Sequence, residues 1–219
     1  MPDYVHDCLT DLGHLQATAA AERLRDEGIE QIFSSTHGRA METAEHAARL
    51  LGLTVTGCDF MREVRWGAAD DQPLFADGHP WTLADQMVTN GESLLLPDWT
   101  AHAWFSRNRL VGCVQHIEAE MDAWLAKLGY RREGLYYRAT GDTQRTIAVF
   151  YHGGASAAML SHLFNLPYPF VCTAMGPDYT GITIVTLPDG RAELVAPRFE
   201  ILNDARHIRG ITAENIYGN

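Results

Sequence analysis

Thr146-Ile147-Ala148-Val149-Phe150-Tyr151 is a continuous, largely apolar run that leads straight into His152-Gly153-Gly154 and an alanine-rich stretch up to Asn165. A strand without polar alternation has no face to offer water. Such strands sit in parallel sheets covered by helices on both sides. This one segment therefore asks for an α/β fold, with a helix packed directly after the strand.

The rest of the chain reads consistently with that demand. Thr10 precedes apolar residues at Leu12, Leu15, Ala19 and Leu24, and Gly28 follows, which is a helix with a threonine cap and a glycine stop. Gln31 to Ser35 reads as a short buried strand, Arg39 to Leu51 as an amphipathic helix closed by Gly52, and Leu53 to Val55 as a strand start. Val114, Ile117, Met121, Trp124, Leu125 and Leu128 mark a further amphipathic helix that ends at Gly129. Gly181–Leu187 and Ala192–Val195 flank Pro188-Asp189-Gly190, a hairpin signature. Strands alternating with helices predict a three-layer αβα sandwich around a mostly parallel central sheet. No repeat or linker divides the chain, so residues 1–219 form one domain with an irregular lid insertion over about 67–110.

Composition excludes several functions. Lys and Arg number 17 against 28 Asp and Glu, a net charge of −11. A nucleic-acid binder or a protein docking on an anionic membrane needs a basic face, so neither partner is expected. No stretch reaches the length of a transmembrane helix. The start shows no secretory leader, and the four cysteines are far apart without a CxxC pair, so a cytoplasmic location with reduced thiols is expected. The 10 His are scattered with no HExxH-like pairing, so no metal and no other cofactor is expected. An anionic substrate would need local positive charge.

Two predicted strand ends supply it. Ser34-Ser35-Thr36-His37-Gly38-Arg39 places Arg39 at a helix start, where a guanidinium fork and free amides can hold a phosphate together. Tyr151-His152-Gly153-Gly154 puts a histidine after a buried strand, beside small residues that let a ligand approach the backbone. Arg62-Glu63-Val64-Arg65 adds a carboxylate bracketed by two arginines after another strand. Four of the five tryptophans, Trp66, Trp81, Trp99 and Trp104, fall in the insertion, where they either line a pocket for an organic phosphate or pack as a small core of their own.

Taken in order, these segments resemble the histidine phosphatase superfamily, also called phosphoglycerate mutase-like. Leu9-Thr10-Asp11-Leu12-Gly13-His14-Leu15-Gln16-Ala17 is similar to its "LTxxGxxQA", and Ser34 to Ala44 to its "SSxxxRAxxTA". Arg62-Glu63, Gly91-Glu92-Ser93, Val149 to Gly154, and Leu202-Asn203-Asp204 with His207 follow in family order. The resemblance implies a small phosphorylated substrate and a phosphohistidine mechanism. A histidine attacks phosphorus, positive and amide donors hold the phosphoryl oxygens, and a carboxyl group protonates the leaving oxygen and then activates water. It assigns Arg39, His152 and the Gly153 amide to phosphate binding, and Glu63 with His152 to catalysis. Arg65 and Arg62 stand as further candidates, and a homodimer is left open. Glu63-Val64-Arg65-Trp66-Gly67 departs from the "ERxYG"-like run of the mutases, which favours a phosphatase.

One departure matters more. The family opens with a strand ending in Arg-His-Gly, which carries the nucleophile, and that tripeptide occurs nowhere in the 219 residues. Thr36-His37-Gly38 lies inside the arginine segment, His14 lies in a predicted helix, and His6 follows no apolar strand. The expectation is a truncated chain, missing its first central strand and inactive for want of the nucleophile. The alternatives are a phosphate-ligand binder without catalysis and a phosphoglycerate mutase.

Overall fold

The computed structural model describes residues 8–70, 72–141, 143, 145–189 and 193–211. Thr10 caps the first helix, α1 (Asp11–Leu24), by accepting a hydrogen bond from the Gly13 amide at 3.1 Å. β1 (Ile29–Ser35), α2 (Gly38–Leu51) and β2 (Val55–Cys58) follow. Gly52 closes α2 in the left-handed region, φ 69°, where a side chain would be strained. The apolar run found in the sequence forms β5 (Thr146–Phe150), and the helix after it is α5 (Gly153–Phe164).

β1 lies between β2 and β5, parallel to both, with Ile32 opposite Val55 on one side and Ala148 on the other. Neighbouring residues of these strands serve different cores. Ile32, Ala148 and Phe150 pack with Ala21, Ala44, Ala47 and Ala48 of α1 and α2. Phe33 and Val149, one residue away, pack into the larger core built on α4 (Arg109–Lys127) and α5. That alternation is the period-two geometry of a strand, and it places helices on both faces of the sheet. The expected α/β class is the one found.

Four details differ from the sequence reading. The buried face of α1 is Ala17, Ala20 and Ala21, while Leu15 is exposed, because only small side chains let α1 and α2 approach closely. The insertion holds a regular helix, α3 (Pro80–Thr89), whose start is set by Pro80 at the first turn and His79 as cap. Its apolar face is only Leu83, Ala84 and Met87, too short to register as a periodic run. Tyr130–Glu133 and Tyr136–Ala139 form an antiparallel hairpin, β3 and β4, turned at Gly134 (φ 63°). The strand β6 (Ile182–Thr186) pairs with β8 (Arg198–Asp204) rather than with the 192–195 segment. Leu194–Val195, β7, pairs with β4 instead, and Gly190 and Ala192 of the expected hairpin lie outside the described residues. The last helix, α6 (Tyr168–Ala174), packs on α3 and α5.

Among the described residues no helix is long and apolar enough to cross a membrane. Cys58, Cys113 and Cys172 are free thiols.

Candidate active site

β1 and β5 are parallel neighbours, so the segments after their C-terminal ends meet at one edge of the sheet, where open α/β sheets bind ligands. Ser34 and Ser35 at the end of β1 are fully buried, and the chain then turns through His37 into α2, which carries Arg39 in its first turn. β5 runs out through Tyr151 into His152. A hydrogen bond of 2.8 Å links His152 Nε2 to Ser35 Oγ, and the His37 amide donates to the same Oγ at 3.2 Å. The His37 and His152 rings lie 5.0 Å apart. Burial, helped by the positive Arg39 and by His37, drives the His152 pKa down to about 3, so its imidazole is neutral at physiological pH.

Glu63 reaches this edge from the segment after β2. Its Oε1 accepts three backbone N–H bonds, from Val64 (3.0 Å), Gly154 (2.9 Å) and Ala155 (3.3 Å). His152, the residue that caps α5, makes no side-chain bond to the helix, so Glu63 satisfies its first-turn donors from a distant part of the chain. Burial raises the Glu63 pKa, the amides and Arg39 oppose it, and burial prevails. Oε1 is engaged by the amides, which leaves Oε2 as the oxygen able to carry a proton.

The two glycines after His152 do different work. A Cβ on Gly154 would lie 2.2 Å from Val64 Cγ2 and 2.7 Å from Glu63 Oε1, so any side chain there would displace the carboxylate. Gly153 has ordinary room, with the Trp81 ring 3.5 Å from the equivalent position. Its amide, first in α5, has no acceptor among the described residues and is available to an anion.

Arg39, Glu63, His152 and Gly153 line one cavity of about 1780 Å³, which Trp81 and Tyr179 also line. The fold therefore brings together all four of the residues singled out as phosphate-binding or catalytic. Arg62 and Arg65 do not line it. Arg62 donates to Thr36 Oγ1 (2.6 Å) and pairs with Asp59 (2.8 Å), while Arg65 is exposed. Of the four insertion tryptophans only Trp81 faces the cavity. Trp99 is buried and stacked on Tyr168, Trp104 stacks on Phe75, and Trp66 meets His79 edge-on. These three pack into or against the larger core built on α4 and α5, and not as a small core of their own. Among the described residues no group of three or more His, Cys, Asp or Glu is arranged to hold a metal ion.

Sequence reasoning missed Ser35, which anchors His152, and the separate role of Gly154. Nothing in a linear sequence relates Glu63 to a helix that starts 90 residues later. The remaining family-like segments have structural duties nearby. Glu42 accepts from the Leu9 amide at 2.6 Å and ties the start of α1 to α2. Asn203, at φ 50°, accepts from the Asp178 amide at 2.9 Å and donates to Gly176 O at 3.3 Å, pinning the loop beside the cavity. Gly181 is required there, since a Cβ would lie 2.2 Å from Asn203 Oδ1.

A probable phosphoglycerate mutase, GpmB, of Yersinia pestis is 34% identical over 93 residues, 41% of this chain and 42% of that protein, so the match spans less than half of the relative. The mycobacterial glucosyl-3-phosphoglycerate phosphatase bound to inorganic phosphate superposes with a TM-score of 0.63 at 24% identity, covering 94% of this chain and 92% of that one. A phosphoserine phosphatase mutant from Entamoeba histolytica, in complex with phosphoserine, has a TM-score of 0.58 at 19% identity, covering 92% and 86%. At these identities the likeness is one of fold. The sequence itself matches the histidine phosphatase superfamily (branch 1) over residues 6–199. The chain belongs to the histidine phosphatase superfamily.

Proposed function

We propose that this site serves the hydrolysis of a small phosphate monoester through a phosphohistidine intermediate. The observation that carries the reading is that Arg39, His152, the Gly153 amide and Glu63 all line one cavity that reaches the C-terminal end of β5. Arg39 and the helix-start amide supply donors where negative charge gathers on the phosphoryl oxygens. His152, held by Ser35, adds a hydrogen bond from its imidazole. Glu63, kept protonated to higher pH by burial, gives its Oε2 proton to the leaving oxygen and then takes a proton from the attacking water. Trp81 offers an aromatic face to the organic part of the ester. Hydrolysis rather than phosphoryl relocation fits the Glu63-Val64-Arg65-Trp66-Gly67 run.

The attacking histidine of this chemistry is absent from the sequence, which holds no Arg-His-Gly. His37 touches His152 but does not line the cavity, so it is not offered as a substitute. The 219-residue chain therefore binds phosphate esters without turning them over. Loss of a nucleophile removes many orders of magnitude of rate. A panel of phosphate monoesters assayed with this chain tests both halves. Saturable competition by inorganic phosphate for ester binding, with no release of phosphate above background, is expected. Ordinary turnover would overturn the assignment of roles, and failure to bind any ester would overturn the site.

A further inference from the structure

The Ser35 hydroxyl is fully buried at the end of β1. Among the described residues it has two hydrogen-bond partners, the His37 amide at 3.2 Å and His152 Nε2 at 2.8 Å. A hydroxyl has one proton to give and lone pairs to receive others. The amide can only donate, so it takes a lone pair. The hydroxyl proton is left with a single group able to accept it, His152 Nε2. Were Nε2 to carry a proton and donate, Oγ would accept twice and its own proton would be buried without an acceptor, an arrangement that folded interiors avoid. Nε2 is therefore the bare nitrogen, and in a neutral imidazole the proton then sits on Nδ1. Burial, the Arg39 guanidinium and His37 keep the ring neutral. Nδ1 makes no bond to a described residue, yet it is not sealed from solvent, and His152 lines the large cavity, so Nδ1 opens onto it.

We propose that Ser35 is a positioning residue that fixes the tautomer of His152, so that the ring turns an N–H at Nδ1 into the cavity as a hydrogen-bond donor. Ser35 does not line the cavity and acts through His152. A ring with its proton on Nε2 would show the cavity a lone pair at Nδ1, which repels the oxygens of an anion. With the proton on Nδ1, that N–H, the Gly153 amide and the Arg39 guanidinium are donors alike, all from residues that line the cavity. Such a set takes an oxygen that only accepts, as a deprotonated phosphoryl oxygen does. The neighbouring Ser34 has no part in this, because its hydroxyl donates to the Ser35 carbonyl at 3.0 Å. The tautomer stands on hydrogen bonds within the protein alone. That a phosphoryl oxygen accepts from Nδ1 rests on the reading of the cavity as a phosphate site.

The test uses the full 219-residue chain with isotopically labelled histidine. The ring nitrogens are read by NMR at neutral pH without phosphate, and the His152 signals are assigned by their loss in His152→Gln. The wild-type ring is expected to show a protonated Nδ1 and a bare, pyridine-like Nε2. In Ser35→Ala the two nitrogens become more alike as the proton is shared between them. Inorganic phosphate then binds that variant about tenfold more weakly in calorimetry, the worth of one hydrogen bond. Ser34→Ala removes a buried hydroxyl that does not touch His152, and it leaves both readings unchanged. A protonated Nε2 in the wild-type chain would overturn the proposal whether or not any variant folds. A Ser35→Ala spectrum identical to wild type would overturn it as well, and so would equal weakening of phosphate binding in the two serine variants. If the wild-type chain holds the proton on Nδ1 and binds no phosphate, the role of Ser35 stands and the phosphate reading falls.

Discussion

Replacing Gly154 with alanine adds a single methyl group, and the structure says where it goes. The new Cβ would sit 2.2 Å from Val64 Cγ2 and 2.7 Å from Glu63 Oε1, both inside any contact that atoms tolerate. Val64 is buried and Glu63 is held by three amides, so neither can move without loss. Overpacking of this kind costs about 1–3 kcal/mol. Displacing the carboxylate also strips the first turn of α5 of its acceptor, worth a further ~1 kcal/mol or more. Against this, glycine to alanine in a helix gains at most about 1 kcal/mol. The net expectation is a loss of about 2 kcal/mol, or a fall in Tm of roughly 4–8 °C for a chain of this length. Gly153→Ala provides the matched control, since its Cβ meets Trp81 at an ordinary 3.5 Å. Thermal melts followed by circular dichroism should show G154A well below wild type and G153A at or near it. Equal melting of G154A and wild type, or an equal fall in both variants, would refute the claim that Gly154 is glycine because Glu63 and Val64 occupy its side-chain space.

Two other outcomes follow from the same geometry. His152 takes up a proton at about 6.5 when unfolded and only at about 3 when folded, so stability is full above pH 6.5 and declines as pH falls through the window between those values. Between pH 7 and 5 the loss is about 2 kcal/mol, and urea titrations of His152→Gln should show a slope shallower by that amount; identical pH dependence in the two proteins would contradict the buried neutral imidazole. Arg39→Gln should weaken inorganic phosphate binding by about 10–100-fold in calorimetry, the worth of a charge-assisted bond, while Arg65→Ala leaves it within about twofold; the reverse order would move the phosphate site.

The parts of the fold that the sequence discloses are those where one local pattern admits one solution. Thr10, Gly52 and the β5 run each satisfy a backbone demand within a few residues, and the elements they bound appear as read. Arg39 and His152 were visible because each sits just after a strand, and parallel pairing of β1 with β5 then brings them together. What stayed hidden depends on contacts far apart in sequence. Leu15 looks like a core residue of α1 and is exposed, since the face is chosen by the alanines that fit against α2. β6 finds β8 instead of the nearer segment, a choice made by pairing and not by turn chemistry. Trp81 and Trp99 belong to the same insertion, yet one borders the cavity and the other is core, which only the placement of α3 decides.

The central claim is that phosphate is held at the meeting point of α2 and α5. It is tested most directly by titrating the isotopically labelled chain with inorganic phosphate and following the backbone amide of Gly153 and the ring nitrogens of His152 by NMR. The account predicts that these shift together, with the Arg39 guanidinium, along a single saturating curve, and that sulfate competes. Saturable shifts confined to other residues, with Gly153 and His152 unmoved, would contradict it.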